Sequence, residues 1–426
     1  MNIKSLFKKL YKNIYIPIKQ FGVIYGLKIV SYRISYLLQM RIHRYGYLGN
    51  KNIKTAIRVL KSRKWSRLPY PSPLSLTFTK QFLEFQNGNY GLCVSNGTEA
   101  IKVALKAAGL KYGDEIIMSS LTFHSTANAA LELGITPVFV DIDRTNLCLD
   151  PKKISKLINK NTKAILTVHL GSVISDIDEL IMLCDKYNLK LIEDCAHSHG
   201  AMWKNKGVGS YGDFGCFSFQ MSKLMNSGEG GFIMMKNQSD FDRCLSIINV
   251  GKSDKPFSTI GLNSRLTEIQ SALLIDALKD YKNIIDTIHN NIIYFTNEIS
   301  KIKGIEILKT HPSQTKQTGY VYGFRLTSPI LDYRNRKDFV EDLNARGFSC
   351  FESLYPPVYL AHGFGWKESL LNLSYKDTKC INAEYSYEYD IVWINHIFFK
   401  LNRSSIKHGV DLIKDAINKY PKQFKV

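Results

Sequence analysis

"FGCFSFQMSKLMNSGEGGFIMM", residues 214 to 235, decides how this chain is built. Its two apolar runs, 214 to 219 and 231 to 235, have strand length and carry no charge, the pattern of strands buried on both faces. Between them lie one lysine, Lys223, and a "GEGG" turn whose glycines reach backbone conformations closed to other residues. A lysine held among Phe, Met and Leu is poorly solvated, so its pKa falls and the neutral amine becomes a nucleophile for a carbonyl carbon. In a chain with 57 Lys and Arg the competing reading is one more cation on a solvated face.

Five further runs of the same kind precede it: "GLCVS" (91 to 95), "EIIMSS" (115 to 120), "TPVFVDI" (136 to 142), "KAILTVHL" (163 to 170) and "LKLIEDC" (189 to 195). Most are separated by enough chain for one crossover helix, such as "TEAIKVALKAAG" or "DIDELIMLCDKYN". The pattern is α/β: a large, mostly parallel seven-stranded sheet domain covered by helices, expected over residues 71 to 280. A long helical pattern, "KNIIDTIHNNIIYFTNEISKI", then opens a smaller α+β C-terminal domain, expected over 281 to 426. Residues 1 to 70 form an N-terminal extension that ends in the Pro- and Ser-rich connector "RLPYPSPLS".

That extension holds the charge. Of the 57 basic residues 17 precede Glu84, the first acid, so the first fifth of the chain carries most of the net +20. Apolar residues recur at roughly helical spacing in "FGVIYGLKIVSYRISYLLQMRIHRYGY", but Lys28, Arg33 and Arg41 keep the segment short of a membrane span. A signal-peptide cleavage pattern is absent as well. Two readings stand open: lying flat on an anionic membrane surface through residues 1 to 50, or packing as a helical extension on the protein itself or a partner. Nucleic acid is disfavoured, because no base-reading motif accompanies the charge. The eight scattered cysteines contain no C-x-x-C pair, which fits reduced thiols in a cytoplasm and argues against a zinc site.

In parallel sheets ligands gather outside the carboxyl ends of the strands. At the first such end, "VSNGTEAIKVAL" places Gly97 and Thr98 where a helix opens, with free N–H groups that can cradle an anion. "LIEDCAHSHGA" ends an apolar strand on Asp194, a carboxylate that needs a cationic partner, with His197 beside it. Phe123 in "LTFHST" offers an aromatic face, and Ser218 lies five residues before Lys223. An anion cradle, an aromatic, a strand-end Asp and a nucleophilic Lys, in that order, are the parts a pyridoxal 5'-phosphate site needs. The Asp keeps the pyridine nitrogen protonated, and the Lys holds the cofactor covalently. His169 and His199 are read as structural, and Glu229 as a brace for its turn.

"SNGTEAIKVAL", "GDEIIMSSLTFHSTANAAL", "PVFVDID", "VHL", "IEDCAHSHGA", "GVGSYGDFGCFSFQMSKLMNSGEGG" and "GLNSRLTEIQSALL" together resemble the successive motifs of the DegT/DnrJ/StrS family of sugar aminotransferases, over roughly residues 55 to 400. The resemblance implies the fold type I of PLP-dependent aminotransferases, Lys223 as catalytic residue, Asp194 on the pyridine nitrogen, His197 near the ring oxygen and Phe123 on the ring face. Ser218, Gly97 and Thr98 would hold the phosphate. Asn263 matches an asparagine that reaches the phosphate from the neighbouring subunit, which implies a homodimer with shared active sites. Dehydratase relatives carry histidine where this chain has Lys223, so amino transfer from glutamate or glutamine to a keto sugar is implied.

Two departures bear on the acceptor. "VHLGSVISDID" is one residue shorter than the family's usual loop, and "FQMSK" and "VWINH" look like the branch that includes inosose aminotransferases. The expected acceptor is a nucleotide-linked keto sugar for bacterial surface polysaccharide; the alternative is a cyclitol or a keto sugar without a nucleotide. A rival from another class is a non-catalytic, membrane-associated homologue.

Overall fold

The structure is a computed structural model that describes residues 50–66, 70–252, 259–328, 330–332, 334–361, 373, 375 and 377–418. The extension considered for a membrane surface therefore lies, up to residue 49, outside the described residues.

Each apolar run becomes a strand: β1 (Tyr90–Val94), β2 (Glu115–Ser119), β3 (Thr136–Val140), β4 (Thr162–Val168), β5 (Lys190–Asp194), β8 (Phe214–Ser218) and β9 (Gly231–Met235), with the short β6 (Met202–Trp203) and β7 (Lys206–Gly207) between. The seven long strands form one sheet in the order β1-β9-β8-β5-β4-β2-β3. Only β9 runs against its neighbours; β8, β5, β4, β2 and β3 pair in parallel. Central strands such as β8 and β9 are buried along their whole length, which is why they read as unbroken apolar runs. β4 stops at Val168, two residues before its run ends, because the chain turns at Gly171 with φ of 62°. A side chain there would meet the Val321 carbonyl at 3.1 Å, so the turn needs glycine.

The parallel connections place the strands' carboxyl ends on one edge. From that edge starts the helix Gly97–Ala107, capped by Asn96, whose side chain accepts from the Glu99 amide at 2.8 Å. The stretch read as a connector is partly core: Tyr70 is buried and donates to the Cys93 carbonyl, and Pro73 opens the helix Pro73–Gln86. That helix sends Phe78 and Phe82 into a cluster with Phe217 of β8, Phe219 just after it and Phe232 of β9.

The helix Glu268–Ile299 spans 32 residues, opened by a capping box between Thr267 and Gln270. The junction expected at 280 and 281 falls inside it. Its early turns pack on Asn50–Ser62 and Pro73–Gln86, its later turns on His396–Phe399 and Arg403–Asn418. Beyond it, β10 (Ile305–Ile307), β12 (Val321–Leu326) and β13 (Ile391–Asn395) form an antiparallel sheet in the order β10-β12-β13, while β11 (Gln314–Lys316) pairs with β6. With the helices Arg336–Ala345 and Arg403–Asn418 this is the α+β texture anticipated for the C-terminal part.

Candidate active site

A cavity of about 550 Å³ opens at the carboxyl edge of the large sheet. It is lined by Gly97, Thr98, Phe123, Asp194, His197, Ser218 and Lys223, seven of the eight residues singled out in the sequence, which come from the ends of β1, β2, β5 and β8.

Asp194 closes β5 and is 6% exposed. Its Oδ1 accepts from the Ala196 amide and its Oδ2 from Thr126 Oγ1, both at 3.0 Å. Burial pushes its carboxyl up, against these hydrogen bonds and the charge of Lys223. Among the described residues it has no ion-pair partner, so a cation delivered into the cavity would meet an uncompensated carboxylate. Lys223 follows β8 on a turn closed by its own amide to the Gln220 carbonyl at 2.8 Å. Burial pushes its amine down to about 8, with Asp194 opposing the shift. The amine is therefore partly neutral near physiological pH, as the apolar surroundings in the sequence suggested.

Gly97 begins its helix in contact with β8: a Cβ there would stand 2.7 Å from Ser218 Cβ. The absence of a side chain leaves the first-turn N–H groups of Gly97 and Thr98 beside the Ser218 hydroxyl, with no intrahelical acceptors of their own. Phe123 is 43% exposed and its ring lies 5.3 Å from that of Tyr355. His197 is buried; its Nδ1 accepts from the Gly171 amide at 3.3 Å, and its Nε2 lies 3.3 Å from the Tyr355 hydroxyl. Burial drives its pKa well below the ordinary value, so the ring is neutral.

Asn263 is not brought into this cavity. It is exposed and bridges to Asn249. Among the cavity residues that escaped the sequence reading are Thr126, which holds Asp194, and two tyrosines. Tyr320 stacks on His197 at 4.1 Å between ring centroids, and Tyr355 bonds the same histidine. Both come from the C-terminal part, and the one cue in the sequence was aromatics set beside loop residues, "TGYVYG" and "SLYPP".

Among the described residues, one group has ligand types close enough to suggest a metal: His169, Glu193 and Cys195. Its members are otherwise engaged. Glu193 accepts from the amides of Gly209, Tyr211 and Gly212 and lies 3.1 Å from His169 Nε2, while burial pushes the Cys195 thiol up. His169 is thus structural, and His199 lies against Phe217 and Phe219 outside the cavity lining. Glu229 uses its carbonyl to accept from Ser227 and Gln270, bracing the turn, while the residue also lines the cavity.

The donor set suits pyridoxal phosphate. The unpaired buried carboxylate of Asp194 fits a protonated ring nitrogen, the Gly97 helix start with Ser218 fits a phosphate, and the depressed Lys223 amine fits an aldehyde.

The description of the DegT/DnrJ/EryC1/StrS aminotransferase family matches residues 47–410. A Micromonospora echinospora protein provisionally named an L-glutamine:3-amino-2,3-dideoxy-scyllo-inosose aminotransferase is 30% identical over 390 residues, 86% of this chain and 91% of that protein. The L-glutamine:2-deoxy-scyllo-inosose aminotransferase of Streptomyces lividus is 32% identical over 71% of this chain and 74% of its own length. GDP-perosamine synthase of Vibrio cholerae is 32% identical over 60% of this chain and 68% of its own. The solved structure of 3-amino-5-hydroxybenzoic acid synthase superposes with a TM-score of 0.78 at 25% identity, covering 86% of this chain and 96% of that one.

Proposed function

From the premise that the chain belongs to the DegT/DnrJ/EryC1/StrS aminotransferase family, we propose that it transfers an amino group from glutamine to a neutral cyclic keto-polyol, a cyclitol of the inosose kind. The protein is a pyridoxal phosphate-dependent aminotransferase of fold type I. The finer choice of acceptor replaces the nucleotide-linked sugar first expected. One observation carries it: among the described residues lining the cavity, Lys223 is the only cation, set against Asp194, Glu99 and Glu229. The described lining offers no Arg or Lys besides Lys223 to pair the charge of a nucleotide diphosphate, whereas the hydroxyls of a cyclitol suit the lining Ser, Thr, Asn, Gln and Tyr side chains. The relatives named for inosose acceptors support the same choice.

Pyridoxal phosphate supplies the electron sink and the place where the amino group is held between donor and acceptor. In this reading Lys223 would hold the cofactor covalently and, when free, would carry a proton on its Nζ. Asp194 keeps the ring nitrogen protonated, with Thr126 and the Ala196 amide fixing its carboxylate. Ser218 and the amides of Gly97 and Thr98 would hold the phosphate, Phe123 would lie against the ring, and His197 would donate toward the ring oxygen. Asn263, exposed on its own chain, works in the neighbouring site of a homodimer. The described cysteines, all free and buried, suit a reducing cytoplasm.

The test is the second half-reaction. The amine-loaded enzyme is mixed with scyllo-inosose, 2-deoxy-scyllo-inosose and nucleotide-linked 4-keto sugars, and return of the aldehyde absorbance is followed. Fastest return with an inosose bears the reading out; return only with a nucleotide sugar overturns it.

A further inference from the structure

Amino transfer requires that Lys223 be released from the cofactor for half of each cycle, an inference that rests on the role proposed for Lys223 above. A freed lysine is a four-carbon arm with large rotamer freedom, and a proton carrier has to be held in place. Asp194 makes no hydrogen bond to it among the described residues. The group nearest to hand is an aromatic ring: Lys223 Nζ lies 4.3 Å from the centroid of Tyr320.

That ring is itself fixed on several sides. It stacks on His197 at 4.1 Å with 26° between planes, and its backbone carbonyl accepts from the His396 amide at 3.3 Å and lies 3.1 Å from His396 Nδ1. Its hydroxyl stands 2.9 Å from Ser222 Oγ. Ser222 has one hydroxyl proton, and it goes to Gln220 Oε1 at 2.7 Å, so the phenol donates to Ser222. A single side chain thus engages two consecutive residues of the lysine turn, Ser222 through its oxygen and Lys223 through its ring face.

We propose that Tyr320 is a positioning residue: its ring is the seat that holds the Lys223 amine when that amine is free, most strongly in its ammonium form. An ammonium over an aromatic face is attracted by the ring's quadrupole, and the attraction grows where water is scarce. The other groups facing the amine are Asp194 at the end of β5, His197 and His199 beyond it, and His396 after β13; burial keeps these three histidines neutral. None of them supplies a seat of this kind, so the ring should be legible in how the amine titrates.

The experiment uses the full-length chain freed of cofactor, with pyridoxal phosphate as the probe. The rate of covalent capture is read from visible absorbance across pH 6 to 11, which gives the apparent pKa of the amine without any turnover. Tyr320→Phe keeps the ring and is expected to keep that pKa. Mono-, di- and trifluorinated phenylalanines at 320 preserve shape while draining the ring's quadrupole, and are expected to lower it stepwise. Tyr320→Leu is expected to lower it by about half a unit or more. No trend across the fluorinated series overturns the proposal, and so does a Tyr320→Phe shift as large as that of Tyr320→Leu. If the leucine variant fails to fold, the fluorinated series decides alone. Lys223→Ala separates the two levels. Capture that persists in it overturns the role of the lysine, whereas capture abolished in it with a flat fluorinated series overturns only the seat.

Discussion

Thr126 Oγ1 donates to Asp194 Oδ2 at 3.0 Å, joining the helix after β2 to the end of β5 inside the cavity. The bond makes Asp194 a fixed carboxylate, and its worth can be measured. Asp194→Asn is expected to cut the single-turnover rate with the amino donor about 100- to 1,000-fold, the scale of losing one preorganised electrostatic group. Thr126→Val, which removes one hydrogen bond to a charged acceptor, is expected to cost roughly ten- to a hundredfold. Full activity in Asp194→Asn would sink the assignment.

Burial sets a pH signature on Lys223. With its amine pushed down to about 8, capture of pyridoxal phosphate by the cofactor-free chain should rise through pH 8 and level off near pH 9. An ordinary lysine would still be climbing at pH 10. The sign for stability follows. The unfolded lysine keeps its proton up to about 10.5, so between pH 8 and 10.5 the unfolded chain binds more protons than the folded one, and this group makes the cofactor-free fold more stable as pH rises through that window. Capture that tracks pH all the way to 10.5 refutes the shift.

The exposure of Asn263 gives a complementation test of the shared site. Lys223→Ala and Asn263→Ala subunits should each be impaired alone. Mixed by partial unfolding and refolding, they should regain about one quarter of wild-type activity, because half the dimers are mixed and each mixed dimer rebuilds one complete site. A mixture no more active than its parents rules the arrangement out.

Glu193 concerns stability alone. Its buried carboxylate accepts three backbone amides from residues 209 to 212 and faces His169 Nε2, and these donors hold its pKa below the usual carboxylate range although burial opposes them. Glu193→Ala would leave those donors without an acceptor, and a loss of about 3–5 kcal/mol in urea unfolding is expected. The contribution is present above the unfolded pKa and fades as pH falls through the folded one. A loss under about 1 kcal/mol would show the loop to be held otherwise.

The large sheet was legible because each strand is an unbroken apolar run that ends on a polar residue, so that Gly97, Phe123, Asp194 and Ser218 announced themselves by position as much as by type. Lys223 was legible by its apolar neighbours. Tyr320 and Tyr355 were not, since a residue's distance along the chain carries no information about which sheet edge it returns to. The junction placed at 281 falls inside a helix for a different reason. The texture change there is real in composition, but the cap at Thr267 starts a helix whose apolar stripe continues through Phe295, and helical continuity outranks composition.

That helix has a mechanical consequence. At 1.5 Å per residue its 32 residues make a rod about 48 Å long, running without a break from the neighbourhood of the first described helix to that of β10 and the helices His396–Phe399 and Arg403–Asn418. A rod offers no swivel at its middle. The jaw that holds Tyr320 is also tied directly to the large sheet domain, the jaw that holds Lys223, by the β6–β11 pairing, by the Arg144–Asp390 ion pair and by the amides of Asn382 and Ala383 on Asp141. The two jaws are geared together, and cutting the gene at residue 281 would break the axle rather than separate two wheels.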